Sequence, residues 1–328
     1  MTAPAPDAHA APGRHRVFGE DLATDLPLPG LPVAFDGDGQ FPFWELRTEP
    51  SRDDATRHSA SARLIGRLPY GNDVAVTLAA TATGQEIVFS DTGRFSLDDS
   101  ARHIAHCAPA GVDRSAVALD LIGVVLPFAL HRRGAWCVHA SAVLTRDGVV
   151  AFIAPRGTGK STLAAACVQR GCALVADDVV VLRADGDGIV VTPAGLPLRL
   201  RAETARALGA ADDDRDEWGK VRMRGAVATA SLRLAACYVL AAVAPGVPVS
   251  RELRGTRAAS IAFLANGKIT ELLGAESTGD ALSRCIDLAG RAEVYDLAVP
   301  RALDQLDVVT SHVLAWHNGP SHAVTGEI

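Results

Sequence analysis

The spacing of hydrophobic positions changes twice along the chain. Between residues 17 and 112 apolar and polar residues alternate in short runs, among them Val74-Ala75-Val76-Thr77-Leu78 and Glu86-Ile87-Val88-Phe89. Turn clusters punctuate them: Pro27-Leu28-Pro29-Gly30, Asp36-Gly37-Asp38-Gly39 and Ser90-Asp91-Thr92-Gly93. A period of two with that punctuation predicts a β-rich region. From Val112 the spacing turns helical and holds to Arg133, where His131-Arg132-Arg133 and then Gly134 supply the basic last turn and the glycine that end helices. Two β-type runs follow, 135–144 and 149–154, joined by Thr145-Arg146-Asp147-Gly148. If Asp147-Gly148 is the two-residue turn of a hairpin, Ser141 lies opposite Ala154 and His139 opposite Arg156. A helix is expected over 160–170, ended by Gly171, and a buried strand over 172–176. The remainder reads as mixed, with a strand near 236–242 and helices near 257–264, 279–288 and 300–316, and it holds no internal repeat.

The segment 154–161, Ala154-Pro155-Arg156-Gly157-Thr158-Gly159-Lys160-Ser161, follows the G-x-x-x-x-G-K-[ST] pattern with Ala154 in place of the first glycine. Small residues let successive backbone N–H groups curl round phosphate oxygens, a lysine reaches the β- and γ-phosphates, and the hydroxyl of Ser161 serves Mg²⁺. The strand before and the helix after are the context this motif requires; the competing reading is a chance glycine-rich turn. Residues 156–162, including Thr162, are the candidate nucleotide contacts. Ala154 is tolerable if its backbone does not need a positive φ.

Helix and strand then return the chain to its starting level, since 11 helical residues at about 1.5 Å and five strand residues at about 3.3 Å each span about 16 Å. Asp177-Asp178 therefore belong at the strand end, level with the loop. One carboxylate can hold Mg²⁺ and the other accept a proton from an incoming hydroxyl; a turn capped by two acids is the plainer alternative. His139 is a candidate phosphate or catalytic contact beside the ordinary role of a structural strand histidine.

Composition narrows the class. With 328 residues, 48% hydrophobic, 21% charged and net charge −6, the chain reads as globular, without the basic excess of a nucleic-acid binder. Its six cysteines form no C-x-x-C pair and are expected to be buried thiols, which points to the cytoplasm. Residues 1–16 read as a disordered Ala/Pro-rich tail, and the most apolar helical run, 116–130, contains Asp120 and Pro127 and is too short to span a membrane. Only three of the 32 basic residues are lysines, Lys160, Lys220 and Lys268, so a lysine here is less replaceable than usual. Lys220 with Arg222, in Gly219-Lys220-Val221-Arg222-Met223-Arg224, is a candidate clamp on a transferring phosphoryl group, or else part of a solvated loop; Glu203 is a further candidate acid.

His139-Ala140-Ser141-Ala142-Val143, Gly157-Thr158-Gly159-Lys160-Ser161 and the run Arg170-Gly171-Cys172-Ala173-Leu174-Val175-Ala176-Asp177-Asp178 resemble the H-x-S/G, G-x-G-K-S and R-G-H-x-L-V-A-D-D segments of HPr kinase/phosphorylase. They are more similar still to the HPr-kinase-like proteins of bacterial biosynthetic clusters, including lasso-peptide precursor kinases. The similarity covers 134–182, with weaker echoes at 18–32 and 235–240, and Cys172 stands where HPr kinases carry His. The resemblance implies a fold related to phosphoenolpyruvate carboxykinase, with Asp177 as the acid that deprotonates the acceptor, Asp178 as its neighbour at the metal, and His139 in the active site.

The expected architecture is therefore α/β: a tail over 1–16, a β-rich region over 17–112, and a phosphate-loop kinase core over 113–328. The expected function is ATP- and Mg²⁺-dependent phosphorylation of a hydroxyl, Ser of a peptide or protein. The alternatives are a small-molecule hydroxyl kinase and a nucleotide-binding regulatory protein without turnover. No nucleic-acid or membrane partner is expected, and the reading is compatible with an oligomer.

Overall fold

The computed structural model describes residues 13–26, 28, 31, 43–70, 74–210, 214–216, 219–223, 225–300, 302–321 and 325–327. The protein is mixed α/β with large sheets and divides into two compact units, Met1–Arg133 and Gly134–Ile328. The helical segment expected to open the second domain thus belongs to the first unit.

The first unit is built on an eight-stranded sheet: β1 (Gly13–Val17), β2 (Glu20–Thr24), β3 (Phe43–Thr48), β4 (Arg63–Tyr70), β5 (Val74–Thr81), β6 (Gly84–Phe89), β7 (Gly93–Asp98) and β8 (His103–Cys107). Strands β4 to β8 form an antiparallel meander, and β3 lies parallel to both β2 and β8. The alternating runs at 74–78 and 86–89 fall in β5 and β6. Residues 13–16, expected in a disordered tail, form most of β1, because the Phe18-Gly19 turn accepts positive φ at both positions (51° and 73°) and folds β1 back on β2. Residues 1–12, the Asp36-Gly37-Asp38-Gly39 cluster and most of the Pro27 to Gly30 cluster lie outside the described residues.

Helix α1 (Arg114–Asp120) continues through a wider π turn at Leu121–Val125 into α2 (Leu126–Arg132). Pro127 has no N–H to return to Gly123, and the helix widens just ahead of it. The whole of Arg114–Arg132 is 19 residues, longer than the run of 116–130 suggested and apolar enough to cross a membrane, yet 72% of its most apolar 18-residue stretch is buried within the structure. That burial is the signature of a core helix.

In the second unit β9 (Trp136–Val138), β10 (Ala140–Thr145), β11 (Gly148–Ile153), α3 (Lys160–Gln169), β12 (Ala173–Ala176), β13 (Val180–Asp185) and β14 (Gly188–Thr192) come first. A short ribbon of β15 (Leu198–Leu200) and β16 (Val221–Met223) flanks helix α4 (Ala202–Ala207). Then follow β17 (Ala226–Ala228), β18 (Leu232–Val243), β19 (Arg251–Leu253), α5 (Thr256–Ala265), α6 (Gly274–Arg291), β20 (Val294–Pro300), α7 (Leu306–Trp316) and β21 (Thr325–Glu327). The main strand order is β21-β17-β12-β10-β11-β18-β14-β13-β9, with β20 also on β18 and β19 on β20. Strands β11, β18 and β20 run parallel.

Successive residues of β10, β11 and β12 are buried whichever face they occupy. Val143, Val150 and Phe152 pack with Leu163, Cys167 and Val313 of α3 and α7, which is why these strands read as continuous apolar runs in the sequence. All six cysteines are buried free thiols.

Two local features correct the expected registers. The β10–β11 hairpin pairs Thr145 with Gly148, so Arg146-Asp147 forms its turn, and Ser141 faces Phe152 instead of Ala154. Positive φ falls on Gly148 (127°) and on neither Arg146 nor Asp147, and any Cβ at Gly148 would meet the Arg233 carbonyl oxygen at 2.7 Å. The expected pairing of His139 with Arg156 fails with that register; the β-run breaks at His139, ahead of β10. Further on, the β10–β12 ladder shifts by one residue, from Val143↔Leu174 to Ala142↔Ala176. Val175 is the extra residue of a β-bulge.

Candidate active site

Beyond the bulge, the Ala142↔Ala176 register sets Ser141 across from Asp177. Without the extra residue Asp177 would turn to the other face of the sheet. The fully buried Ser141 hydroxyl donates to Asp177 Oδ1 at 2.6 Å, and the hydroxyl of Ser161, in the first turn of α3, donates to the same oxygen at 2.8 Å. Asp177 Oδ2 accepts from the Arg199 backbone N–H at 3.2 Å. Helix α3, ten residues rising about 15 Å, and β12, four residues returning about 13 Å, thus bring Asp177 back to the loop.

The glycine-rich loop links β11 to α3. Its positive φ angles fall on Gly157 (82°) and Gly159 (96°), where an added Cβ would meet nothing within 4 Å, so both glycines serve backbone conformation. Ala154 has no positive φ, and the missing first glycine costs nothing there. Lys160 is buried and its ammonium donates to the carbonyl oxygens of Ala154 at 2.7 Å and Pro155 at 3.0 Å, while the Thr158 hydroxyl donates to Pro155 O at 2.7 Å. Arg156 is exposed at the tip, and Thr162 is half-buried beside Ser161.

Asp178 points elsewhere. Val179 N–H donates to Asp177 O at 2.9 Å, closing a three-residue turn round Asp178, whose φ of 67° is in the left-handed region. A non-glycine residue held there is strained and needs its surroundings to fix it. They do: Asp178 Oδ1 lies 3.2 Å from His139 Nε2, and Oδ2 accepts from Lys268 Nζ at 2.9 Å. Desolvation works against the Asp178 charge, but Lys268 and His139 outweigh it and hold this carboxyl well below the usual range.

Lysine placement is the signal the sequence only hinted at. Burial lowers the Lys160 ammonium to about 8, against the opposing pull of Asp178 and Asp177. Burial likewise lowers Lys220, helped by Arg199 and Arg156 and opposed by Asp177 and Asp178. All three lysines of the chain therefore act electrostatically on one acid pair. Arg222 faces Asp214 at 3.1 Å, Arg199 donates to Asp216 at 2.6 Å, and Arg224 lies outside the described residues. Glu203 sits on an exposed helical turn, 3.9 Å from Arg201. Ser141, Arg199 and Lys268 were not singled out as site residues by sequence reasoning, although Ser141 stands within the His139-Ala140-Ser141 motif and Lys268 among the scarce lysines.

Among the described residues no group of three or more His, Cys, Asp or Glu side chains could hold a metal ion. The hydroxyl of Ser161 and the carboxylate of Asp177 are nevertheless hard oxygen donors of the kind Mg²⁺ takes when phosphates and water complete its shell.

No family model matches the sequence, and no curated protein matches it. Among solved structures, the HPr(Ser) kinase/phosphatase from Coxiella burnetii aligns over 56% of this chain and 99% of its own, at 14% identity and a TM-score of 0.28. A likeness of that size decides nothing about the chemistry, which rests on the distances above.

Proposed function

We propose that the second unit binds ATP with Mg²⁺ at the 154–161 loop and transfers the terminal phosphoryl group to an aliphatic hydroxyl, Ser of a peptide or protein. The observation that carries this reading is the Ser161–Asp177 hydrogen bond at 2.8 Å, which joins a loop hydroxyl to a strand-end carboxylate beside a buried lysine. Mg²⁺, when bound, supplies positive charge to the phosphate oxygens.

The chain's own groups divide the remaining work. Backbone N–H groups around Gly157 and Gly159 and the N-terminus of α3 favour phosphate, and Lys160 exchanges its loop carbonyls for phosphate oxygens. Lys220 adds a second cation. The hydrogen bonds favour Asp177, with Ser161, on the metal side and Asp178, with His139, on the side that accepts a proton from the hydroxyl. This is the reverse of the division the family resemblance implies, and it follows from which carboxylate Ser161 touches. The cytoplasm is the compartment that supplies ATP to such a reaction.

The test is incubation with γ-labelled ATP and Mg²⁺, alone and with candidate acceptors: HPr, and peptides and hydroxyl metabolites from neighbouring genes. Label transferred to a hydroxyl supports the reading and identifies the acceptor class. Nucleotide binding with no turnover on any acceptor would leave a regulatory protein and overturn the kinase.

A further inference from the structure

Lys268 lies 90 residues along the chain from the carboxylate it holds, and a small piece of architecture brings it there. The turn that ends α5, Asn266-Gly267-Lys268, zips onto the segment that precedes β10. His139 N–H donates to Asn266 O at 2.7 Å, Lys268 N–H donates to Cys137 O at 2.9 Å, and Val138 bridges Gly267 between them. Trp136, fully buried, anchors the same contact by donating from Nε1 to Phe263 O at 3.1 Å. One backbone ladder therefore delivers His139 and Lys268 together, one to each oxygen of Asp178.

The Lys268 side chain is only 12% exposed, so its charge is spent on a partner and not on solvent. A generic positive charge in this chain is an arginine; here it is one of three lysines. A compact ammonium makes a single directed bond to one carboxylate oxygen, where the wide guanidinium fork would span both and displace His139. The Asp178 side chain is 60% exposed on a backbone strained at φ 67°, so its orientation comes from these two partners.

We infer that Lys268 is a positioning residue of the phosphoryl-transfer site, acting through Asp178 by fixing that carboxylate on one oxygen so that the other stays directed at His139 and the incoming hydroxyl. This rests on the proposed phosphoryl transfer; it adds to it a residue whose ammonium hydrogen-bonds Asp178.

The experiment is a double-mutant cycle on Lys268→Met and Asp178→Asn, with Lys268→Arg as the charge-keeping variant. Mg-ATP is the probe, followed by ADP formation and, separately, by binding of a fluorescent ATP analogue. Lys268→Met, nearly isosteric, is expected to lower kcat about 10²-fold, the scale of a misplaced reacting group, with nucleotide affinity within about threefold of wild type. The double variant is expected to be no slower than Asp178→Asn, since a residue that acts through Asp178 has nothing left to act on. Lys268→Arg keeps the charge, but its fork would span both Asp178 oxygens and displace His139, so it is expected to be about as slow as Lys268→Met; wild-type speed in this variant would overturn the inference. Independent, multiplying losses would overturn the inference by showing that Lys268 acts directly on substrate, and so would a Lys268→Met enzyme of wild-type speed. Lost nucleotide affinity in Lys268→Met would also overturn it. A wild-type protein that neither binds nor consumes Mg-ATP removes the phosphoryl-transfer reading itself, and the Lys268 role with it, which keeps the two failures apart.

Discussion

The ammonium of Lys160 lies 2.7 Å from the carbonyl oxygen of Ala154, the residue that replaces the first glycine of the loop motif. The loop is thus closed on its own lysine, and the cation that would meet phosphate is already buried and directed inward. Lys160→Ala should therefore abolish phosphoryl transfer while leaving the fold intact. Titration with a fluorescent ATP analogue and a thermal melt check both halves, and wild-type turnover in this variant would refute the loop assignment.

The two aspartates should separate by experiment. Asp177 receives the Ser161 and Ser141 hydroxyls, whereas Asp178 is held by His139 and Lys268. Asp177→Asn is expected to weaken Mg²⁺-dependent nucleotide binding. Asp178→Asn should leave binding near wild type and cut turnover by about 10²-fold or more, the scale of general-base loss. Isothermal titration with and without Mg²⁺, set beside steady-state rates, reads the two effects apart; the opposite pattern restores the division of roles implied by the family resemblance.

Gly267→Ala tests the ladder that carries Lys268. An added Cβ would lie 2.5 Å from Trp136 Cζ2 and 2.3 Å from Thr270 Oγ1, closer than real contacts allow. The turn must shift, taking Lys268 and His139 with it. The expected outcome is a destabilisation of about 1–3 kcal/mol from overpacking, read as a lowered melting temperature, and slower transfer with unchanged nucleotide affinity. An enzyme that melts and works like wild type would show that this turn does not matter.

Asp120 gives the first unit a pH dependence of definite sign. It is buried at the end of α1, accepts the Thr92 hydroxyl at 2.5 Å, and is raised from 3.8 to about 7 by burial, with Asp91 adding to the shift. Since the folded value exceeds the unfolded one, the native state binds more protons between those limits. The stability Asp120 contributes is full below about pH 4 and is lost as pH rises to about 7. Asp120→Asn should remove this part of the slope and raise the melting temperature at pH 8 relative to wild type, with a smaller gain at pH 5. Parallel melting curves for the two proteins at all pH values would refute the assignment.

Much of this site was legible in the sequence because it is local. The loop, the helix after it and the short strand back to Asp177-Asp178 are one continuous piece of chain, and residue rises alone bring their ends level. His139, expected beside Arg156 of the phosphate loop, meets Asp178 instead: the hairpin turns at Arg146-Asp147, since Gly148 and not Asp147 bears the unusual φ. The long-range partners were not legible. Arg199 meets Asp177 through its backbone, which no side-chain motif encodes, and Lys268 arrives through a turn whose pairing with 137–139 leaves no periodic trace. Burial on both faces of β10 and β11 likewise erased the alternation that would have shown which side of each strand α3 covers.

The bulge at Val175 makes the approach to the acid pair a matter of parity. Side chains on a strand take opposite sides in turn, so what decides whether Asp177 meets Ser141 or the opposite side of the sheet is whether the residue count from Leu174 is odd or even. Substitutions among the buried aliphatic residues of β12 alter volume and leave that count alone. Removing Val175, or inserting one residue beside it, changes the count by one and sends the carboxylate away from both hydroxyls, with the composition of the segment hardly changed. The short run between Gly171 and Asp177 should therefore be tolerant in spelling and intolerant in length.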